Sequence, residues 1–355
     1  MKEICVDARM GMHSGIGTYI RNILPFLKNA FPSLRVLAPL SLMEVWPELK
    51  TFDIIPLKSA LYTIQEQMEL PLRIPACDLY WTPHYNIPIF PIKAKKRIVT
   101  IHDVYHLAYG QTLSLPKRIY AKMMIKSAVA ISDHIITVSQ FSQDEMIKHT
   151  GVSTDKISVI HNGVNTNLFS LHVQNPLPQN YFLFVSTLAP HKNLTRLLRA
   201  WNLVIQKHKE WHLALVGKTV KNVEYLKVFE VFPHLRQHVR FLGQVAEKDL
   251  PELYQSAYAT ISPSFYEGFG FAPLEAMAMG CPAVVSSVAS YPEVCGNAAL
   301  YVNPFDIEDM AQKICDLIEN PLIRPSLIER GKARVDEFTW EKAAQNHVKV
   351  MDELL

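Results

Sequence analysis

The stretch PSFYEGFGFAPLEAMAMGCP, residues 263–282, decides how this chain is read. It follows an apolar run, AYATIS (257–262), that has the length and composition of a buried strand. Gly268 and Gly270 then bare the backbone, and a helix is predicted from Phe271 to Met279. A glycine turn that opens a helix offers N–H groups and a partial positive charge to an anion. Glu267 stands just before the turn and Glu275 on the helix, with seven residues between them. A carboxylate at the turn can grip sugar hydroxyls. One on the helix can accept from a ribose diol, as acidic residues do in dinucleotide folds. The plain alternative is a capping carboxylate and a surface helix residue. The neighbours Leu274 and Met277 count against it, because a carboxylate among apolar groups needs a partner.

Outward from this stretch, short apolar runs alternate with helical patterns. YFLFVS (181–186), HLALVG (212–217) and HVRFLG (238–243) precede it as strands, and PAVVSS (282–287) follows. The first half repeats the alternation with KEICVDA (2–8), RVLAPL (35–40), DLYWT (78–82), RIVTIHD (97–103), HIITVS (134–139) and KISVIHNG (156–163). Helices are predicted over 16–30, with Pro25 as a site for a kink, and over 117–131. Between the halves, SLHVQNPLPQN (170–180) has two prolines and no periodicity, as expected of a linker. TWEKAAQNHVKVMDELL (339–355) ends the chain as an amphipathic helix. The fold class is α/β: two parallel sheets in series, covered by helices, facing each other across a cleft. Ligand loops then lie just after the strands.

Composition sets the outer limits. A chain of 355 residues suits about two domains. A net charge of +3 is too small for a protein dominated by nucleic-acid binding, so no nucleic-acid partner is expected. No apolar run reaches the ~18–20 residues of a spanning helix. MKEICVDARM enters a strand directly, so no signal peptide is read and the cytoplasm is the expected location. The five cysteines are scattered without a CxxC pair, which argues for buried thiols and against a cysteine zinc site.

Three more stretches follow strands. In SGIGTY (14–19), Gly15 and Gly17 can admit an anion at a helix start or simply make a tight turn. In IHD (101–103), His102 can bond a hydroxyl or accept a proton, or serve as a structural histidine. In VSTLAPHKN (185–193), His191 and Lys192 open a helix. A lysine there suits phosphate, and a solvated surface lysine is the alternative.

The stretch 263–286 resembles the E-x7-E signature of retaining glycosyltransferase family 4, which has the GT-B fold of two Rossmann-like domains. The resemblance runs along nearly the whole chain. VDARMGMHSGIGTYIRNI, IHDVYHL, ITVSQFSQDEM, VIHNGVNTNLF, VSTLAPHKNL, LVGK, RFLGQV and FTWEKAA are similar to family segments in the same order. It implies an acceptor domain over 1–170, a nucleotide-sugar domain over 171–338, and a last helix that packs back on the first domain. By position, Glu275 matches the glutamate on the nucleotide ribose and Glu267 the one on the donor sugar. Gly268, Phe269 and Gly270 match the backbone donors to sugar and phosphate. Lys192 matches the diphosphate lysine and His102 the histidine near the transferred carbon. Gly15 and Gly17 match the loop over the phosphates. Thr187 and His191 depart from the pattern, since each stands where family members carry an arginine, so a titratable imidazole replaces a fixed cation. His161 stands where the family has proline.

The implied reaction is retaining transfer from a nucleotide diphosphate sugar to a glycan or lipid-linked acceptor. No D-x-D pair is present, and neither a metal nor a cofactor is expected. One branch similar to this sequence includes many mannosyltransferases of bacterial surface polysaccharides, which points to GDP-mannose. Another GT-B enzyme, such as an epimerase or phosphorylase, or a non-catalytic sugar-nucleotide binder, are the alternatives. Lys117, Arg118, Lys122 and Lys126 recur at helical spacing among Ile119, Met123 and Met124. That pattern suits either contact with an anionic membrane or a solvated face.

Overall fold

A computed structural model of the chain describes residues 2–112, 114–166, 177, 180–218 and 224–355. Two compact units emerge, residues 1–163 with 340–355 (unit 1) and residues 164–339 (unit 2). The division falls before the 170/171 boundary read from the linker, and most of the linker stretch 170–180 lies outside the described residues.

Unit 1 holds one parallel sheet of β1 (Ile4–Asp7), β2 (Arg35–Ala38), β3 (Asp53–Pro56), β4 (Cys77–Thr82), β5 (Ala94–Thr100), β6 (His134–Thr137) and β7 (Ile157–Val159). Their order is β3-β2-β1-β4-β5-β6-β7. Its longer helices are α1 (Ser14–Ala30), α2 (Ile64–Arg73), α3 (Leu115–Ile131), α4 (Gln140–Thr150) and, from the end of the chain, α9 (Trp340–Leu354). Helix α1 continues through Pro25, which is exposed. Unit 2 holds β8 (Tyr181–Val185), β9 (His212–Val216), β10 (Val239–Gly243), β11 (Ala259–Ser262), β12 (Ala283–Ser286) and β13 (Ala299–Val302), in the order β10-β9-β8-β11-β12-β13. Its longer helices are α5 (Leu194–Lys207), α6 (Phe271–Ala278), α7 (Ile307–Glu319) and α8 (Ile323–Val335).

Central strands such as ICVD, ATIS and AVVS are wholly buried, as strands covered on both faces must be. The two strands that the sequence reading lacks, β3 and β13, are the outer strands of their sheets. Each leaves part of its length exposed or half-buried, so neither is written as a continuous apolar run.

Both sheets reverse their strand order once. In unit 1 the reversal falls between β1 and β4, and in unit 2 between β8 and β11. Connections leave these neighbours in opposite directions and open a crevice at their carboxyl ends. The loops after β1, β4, β8 and β11 are therefore the places to look for ligand-binding side chains.

Candidate active site

In unit 2 the reversal brings two loops together that are far apart in sequence. The loop after β8 carries Thr187, His191 and Lys192, and the loop after β11 carries Glu267 and the glycine turn. The backbone N–H of Phe265 donates to the carbonyl of His191 (2.8 Å). Asn193 sits in the left-handed region (φ +63°) and is buried. Its Nδ2 donates to the carbonyls of Pro263 (3.0 Å) and Pro304 (2.8 Å). The bonds of Phe265 and Pro263 staple the two loops, and that to Pro304 ties in the loop after β13.

Across the staple, Lys192 Nζ donates to Glu267 Oε1 (2.5 Å), and Ser264 Oγ donates to the same oxygen (3.1 Å). The side chains are only 13% and 18% exposed, so Lys192 is not a solvated surface lysine. Burial acts to raise the Glu267 carboxyl. The charge and hydrogen bond of Lys192, with His191 and Ser264 behind them, outweigh it and hold the group below its ordinary value. Glu267 is therefore an ionised acceptor at neutral pH, beside a cation held in place.

Tyr291 ties this pair to the glycine turn. Its hydroxyl lies 3.3 Å from Ser264 Oγ and 3.4 Å from Glu267 Oε1. Its ring lies against Gly270, where a Cβ would fall 2.6 Å from the Tyr291 ring and φ is +87°. Glycine is required there on both counts. Ser290 Oγ donates to the Phe269 carbonyl (2.9 Å), and helix α6 starts at the next residue but one. Glu275 sits further along α6, half-buried, and its Oε2 accepts from Tyr254 (3.0 Å). Burial raises its carboxyl, the Tyr254 hydroxyl offsets this only in part, and Glu247 adds to the rise. A carboxylate in that setting gains from further hydroxyl donors.

Unit 1 builds a different edge. His102 follows β5, and its Nε2–H donates to the Pro83 carbonyl (3.1 Å). A carbonyl only accepts, so Nδ1 keeps its lone pair. Burial lowers the His102 pKa, although Pro83 and Asp103 act the other way, so the ring is neutral. Tyr19 meets it edge-on, with centroids 4.9 Å apart at 88°. His84 follows β4, and burial, with His102, His106 and His13 nearby, brings it down to about 3.

A directed chain of hydrogen bonds lies behind His102. Trp81 Nε1 donates to Thr100 (3.0 Å), the Thr100 hydroxyl meets that of Tyr19 (3.0 Å), and the Tyr19 hydroxyl bonds His347 Nε2. His347 Nδ1–H donates to the Ala343 carbonyl (2.7 Å) within α9. The loop after β1 is anchored by Arg9, which pairs with Asp7 (2.7 Å) and with the fully buried Glu66 (2.7 Å).

Gly15 and Gly17 lie inside the first turn of α1 rather than ahead of it. Gly17 has a steric reason to be glycine, because a Cβ would fall 2.5 Å from the Gly11 carbonyl oxygen. Thus Lys192, Glu267 and Gly270 are brought together in unit 2. Glu275 stands apart with its own tyrosine, Thr187 is exposed at the end of β8, and His102, Gly15 and Gly17 belong to unit 1. Ser264, Tyr291, Tyr254, Tyr19 and His84 were not singled out in the sequence. Single serines and tyrosines in loops or helices carry no spacing signal.

Comparison with known proteins places this geometry among relatives. Residues 13–168 match the family described as Glycosyltransferase Family 4, and residues 171–334 the one described as Glycosyl transferases group 1. The chain is 32% identical over 276 residues to the O-antigen chain mannosyltransferase RfbU of Salmonella typhimurium, covering 77% of this chain and 74% of that one. It is 29% identical over 273 residues to the O-antigen chain mannosyltransferase B of Escherichia coli, covering 74% and 71%. In fold it is similar to sucrose-phosphate synthase from Thermosynechococcus elongatus, with a TM-score of 0.79 at 19% identity over 100% and 99% of the two chains.

Proposed function

We propose, on the premise that this chain belongs to glycosyltransferase family 4 and has its GT-B fold, that it is a retaining mannosyltransferase of surface-polysaccharide synthesis. It takes GDP-mannose as donor and a glycan or lipid-linked acceptor, without a metal ion. The observation that carries this reading is the Lys192–Glu267 pair beside the glycine-opened helix α6, at the strand-order reversal of unit 2.

The chemistry follows from charge. The bond from the anomeric carbon to the phosphate oxygen breaks with its electron pair on that oxygen, so negative charge grows on the leaving diphosphate. Lys192 and the amino end of α6 are assigned to offset it. Glu267 holds donor-sugar hydroxyls and Glu275 the ribose diol. His191, where relatives in the resemblance carry arginine, adds charge only when protonated. The acceptor oxygen forms the new bond on the same face, and its proton passes to the departing phosphate oxygen. Retention follows without a second carboxylate flanking the bond, which a double displacement would need about 5 Å away. Neutral His102, with Nδ1 open as an acceptor, is assigned to a hydroxyl of the transferred sugar.

An anionic membrane surface is the second assigned partner, with the cytoplasmic side as the place of action. Leu115, Ile119 and Met123 are exposed on α3, among the exposed Lys117, Arg118, Lys122 and Lys126. Among the described residues, no helix is long and apolar enough to cross a membrane. Flotation with anionic and neutral vesicles tests this contact, and equal behaviour with both refutes it.

The test of the main reading is a transfer assay over a panel of nucleotide sugars, with the product's anomeric configuration read by NMR. The expected result is an α-mannosyl product from GDP-mannose in the presence of chelator. An inverted product, or transfer that requires a divalent metal, rejects the mechanism. Donor binding with no turnover favours the non-catalytic reading suggested by Thr187 in place of the family's arginine.

A further inference from the structure

We propose that the carboxyl-terminal ends of α5 and α7 form a divalent-metal site of the zinc class, with His208, Cys315 and Glu319 as ligands. The site lies at the opposite end of these helices from Lys192. Helix α5 leaves the carboxyl end of β8 and delivers the chain to the start of β9, and α7 likewise begins beyond β13. Their last turns therefore meet at the amino-terminal edge of the sheet. The two helices pack through Leu198, Trp201, Ile205, Ile314 and Leu317, all buried in one core.

Three observations point to a metal. First, the donors converge. His208 is the residue that caps α5, and Cys315 and Glu319 stand one turn apart on α7. One ligand atom from each of the three lies within 4.8 Å of the others, and His208 Nε2 is 3.0 Å from Glu319 Oε1. Tetrahedral zinc with bonds of about 2.0–2.3 Å sets its ligand atoms roughly 3.3–3.8 Å apart. The separations therefore exceed this spacing by at most about 1 Å, and Glu319, whose side chain is 53% exposed, has room to adjust.

Second, the charge fits. A thiolate and a carboxylate neutralise a divalent ion, and the ends of two helices add partial negative charge. Burial raises the Cys315 thiol, Lys207 lowers it and Glu319 and Asp316 raise it, so a bound cation is what would hold the thiolate. Third, the donor types are selective. Sulfur with imidazole favours zinc over magnesium or calcium, and three protein ligands leave one position for water. Cys315 is buried and His208 mostly so, leaving the Glu319 side as the entrance. On binding, the Cys315 thiol gives its proton to solvent, and a sulfur–metal bond forms. The bound ion would cross-link the two helices and steady unit 2, apart from the transfer chemistry.

The experiment uses the full chain, stripped with chelator. Zinc is titrated in competition with a chromophoric chelator, and cobalt is followed by absorbance. We expect one equivalent to bind, a thiolate-to-cobalt band in the near ultraviolet, and a rise in the thermal midpoint with zinc. Cys315→Ser should abolish the band. His208→Ala should weaken zinc binding about tenfold or more, since even outer partners of a ligand cost that much. Cys315 is buried in the core, so the midpoint of Cys315→Ser in chelator is measured alongside, and Glu319→Gln on the exposed rim provides an independent variant. Unchanged zinc affinity in both His208→Ala and Glu319→Gln, or a cobalt complex without the thiolate band, overturns the proposal. Either result would reduce His208 and Glu319 to a hydrogen-bonded pair between helices.

Discussion

The two units share a plan and differ in what they set on it. Each has an all-parallel sheet with one reversal of strand order. At the unit 2 reversal the loops carry a cation and an ionised carboxylate in contact. At the corresponding edge of unit 1 the side chains are imidazoles kept neutral by burial, backed by tyrosine and tryptophan, while the ions of Arg9, Asp7 and Glu66 are consumed among themselves. An edge with a fixed charge suits a ligand whose own charge changes. An edge of neutral imidazoles, with the Asp103 carboxylate beside them, suits hydroxyls. The same topology thus carries two kinds of chemistry, and the difference lies in a handful of loop residues.

The largest test of this contrast is Lys192. Lys192→Ala should lower turnover on the order of a hundredfold to a thousandfold, the loss seen when one preorganised donor to a developing anion is removed. It should also destabilise unit 2 by leaving Glu267 charged and unpaired. Adding Glu267→Gln should recover the stability and none of the turnover. Recovery of both would mean that the pair is structural. Kinetics and thermal unfolding of the three proteins measure this.

Next comes His102. His102→Ala should lower turnover about a hundredfold, with nucleoside diphosphate affinity nearly unchanged. Calorimetric titration beside steady-state kinetics separates the two, and a loss of nucleotide affinity would erase the division between units. Glu275→Ala should do the reverse, weakening nucleoside diphosphate binding by about 2 kcal/mol, the scale of a charged hydrogen bond. Equal affinities would remove Glu275 from the ribose.

A last effect is one of pH, read in stability rather than in turnover. His84 and His347 are brought down to about 3 and about 4 by burial, against 6.5 for the free side chain. Between these values the unfolded chain binds protons that the folded chain refuses. Stability present above pH 6.5 is therefore lost as pH falls, by about 1.4 kcal/mol per pH unit for each histidine. Glu267 in unit 2 is lowered from 4.5, so its contribution is lost only below that value. Urea midpoints from pH 7 to 5 should fall in wild type and fall less in His347→Gln. Parallel slopes would show that His347 is not refused its proton.

Much of the fold is legible in the sequence, for physical reasons. The central strands are buried on both faces, so β8, β11 and β12 are written as apolar runs, and the glycine turn with α6 announces itself by composition. Edge strands β3 and β13 are half-solvated and lack that signature. Lys192 and Glu267 were each visible as strand-end residues. Their contact depends on β8 and β11 being neighbours, which no local pattern encodes. Tyr291 and His347 matter through partners distant in sequence, and nothing around either residue marks it. Cys315 read as an inert thiol, because its companions lie on another helix and one turn away, not in a CxxC pair.

Helix α9 bears on how this chain comes into being. Unit 1 holds residues that precede unit 2, yet His347, buried against Tyr19 and Trp81, is translated only after all of unit 2. While the ribosome is still at work, the sheet of unit 1 stands with Tyr19 lacking its imidazole partner and with an apolar flank uncovered. Unit 2, uninterrupted in sequence, can close first. The half begun first is finished last, because α9 joins it only after the whole of unit 2 has been made.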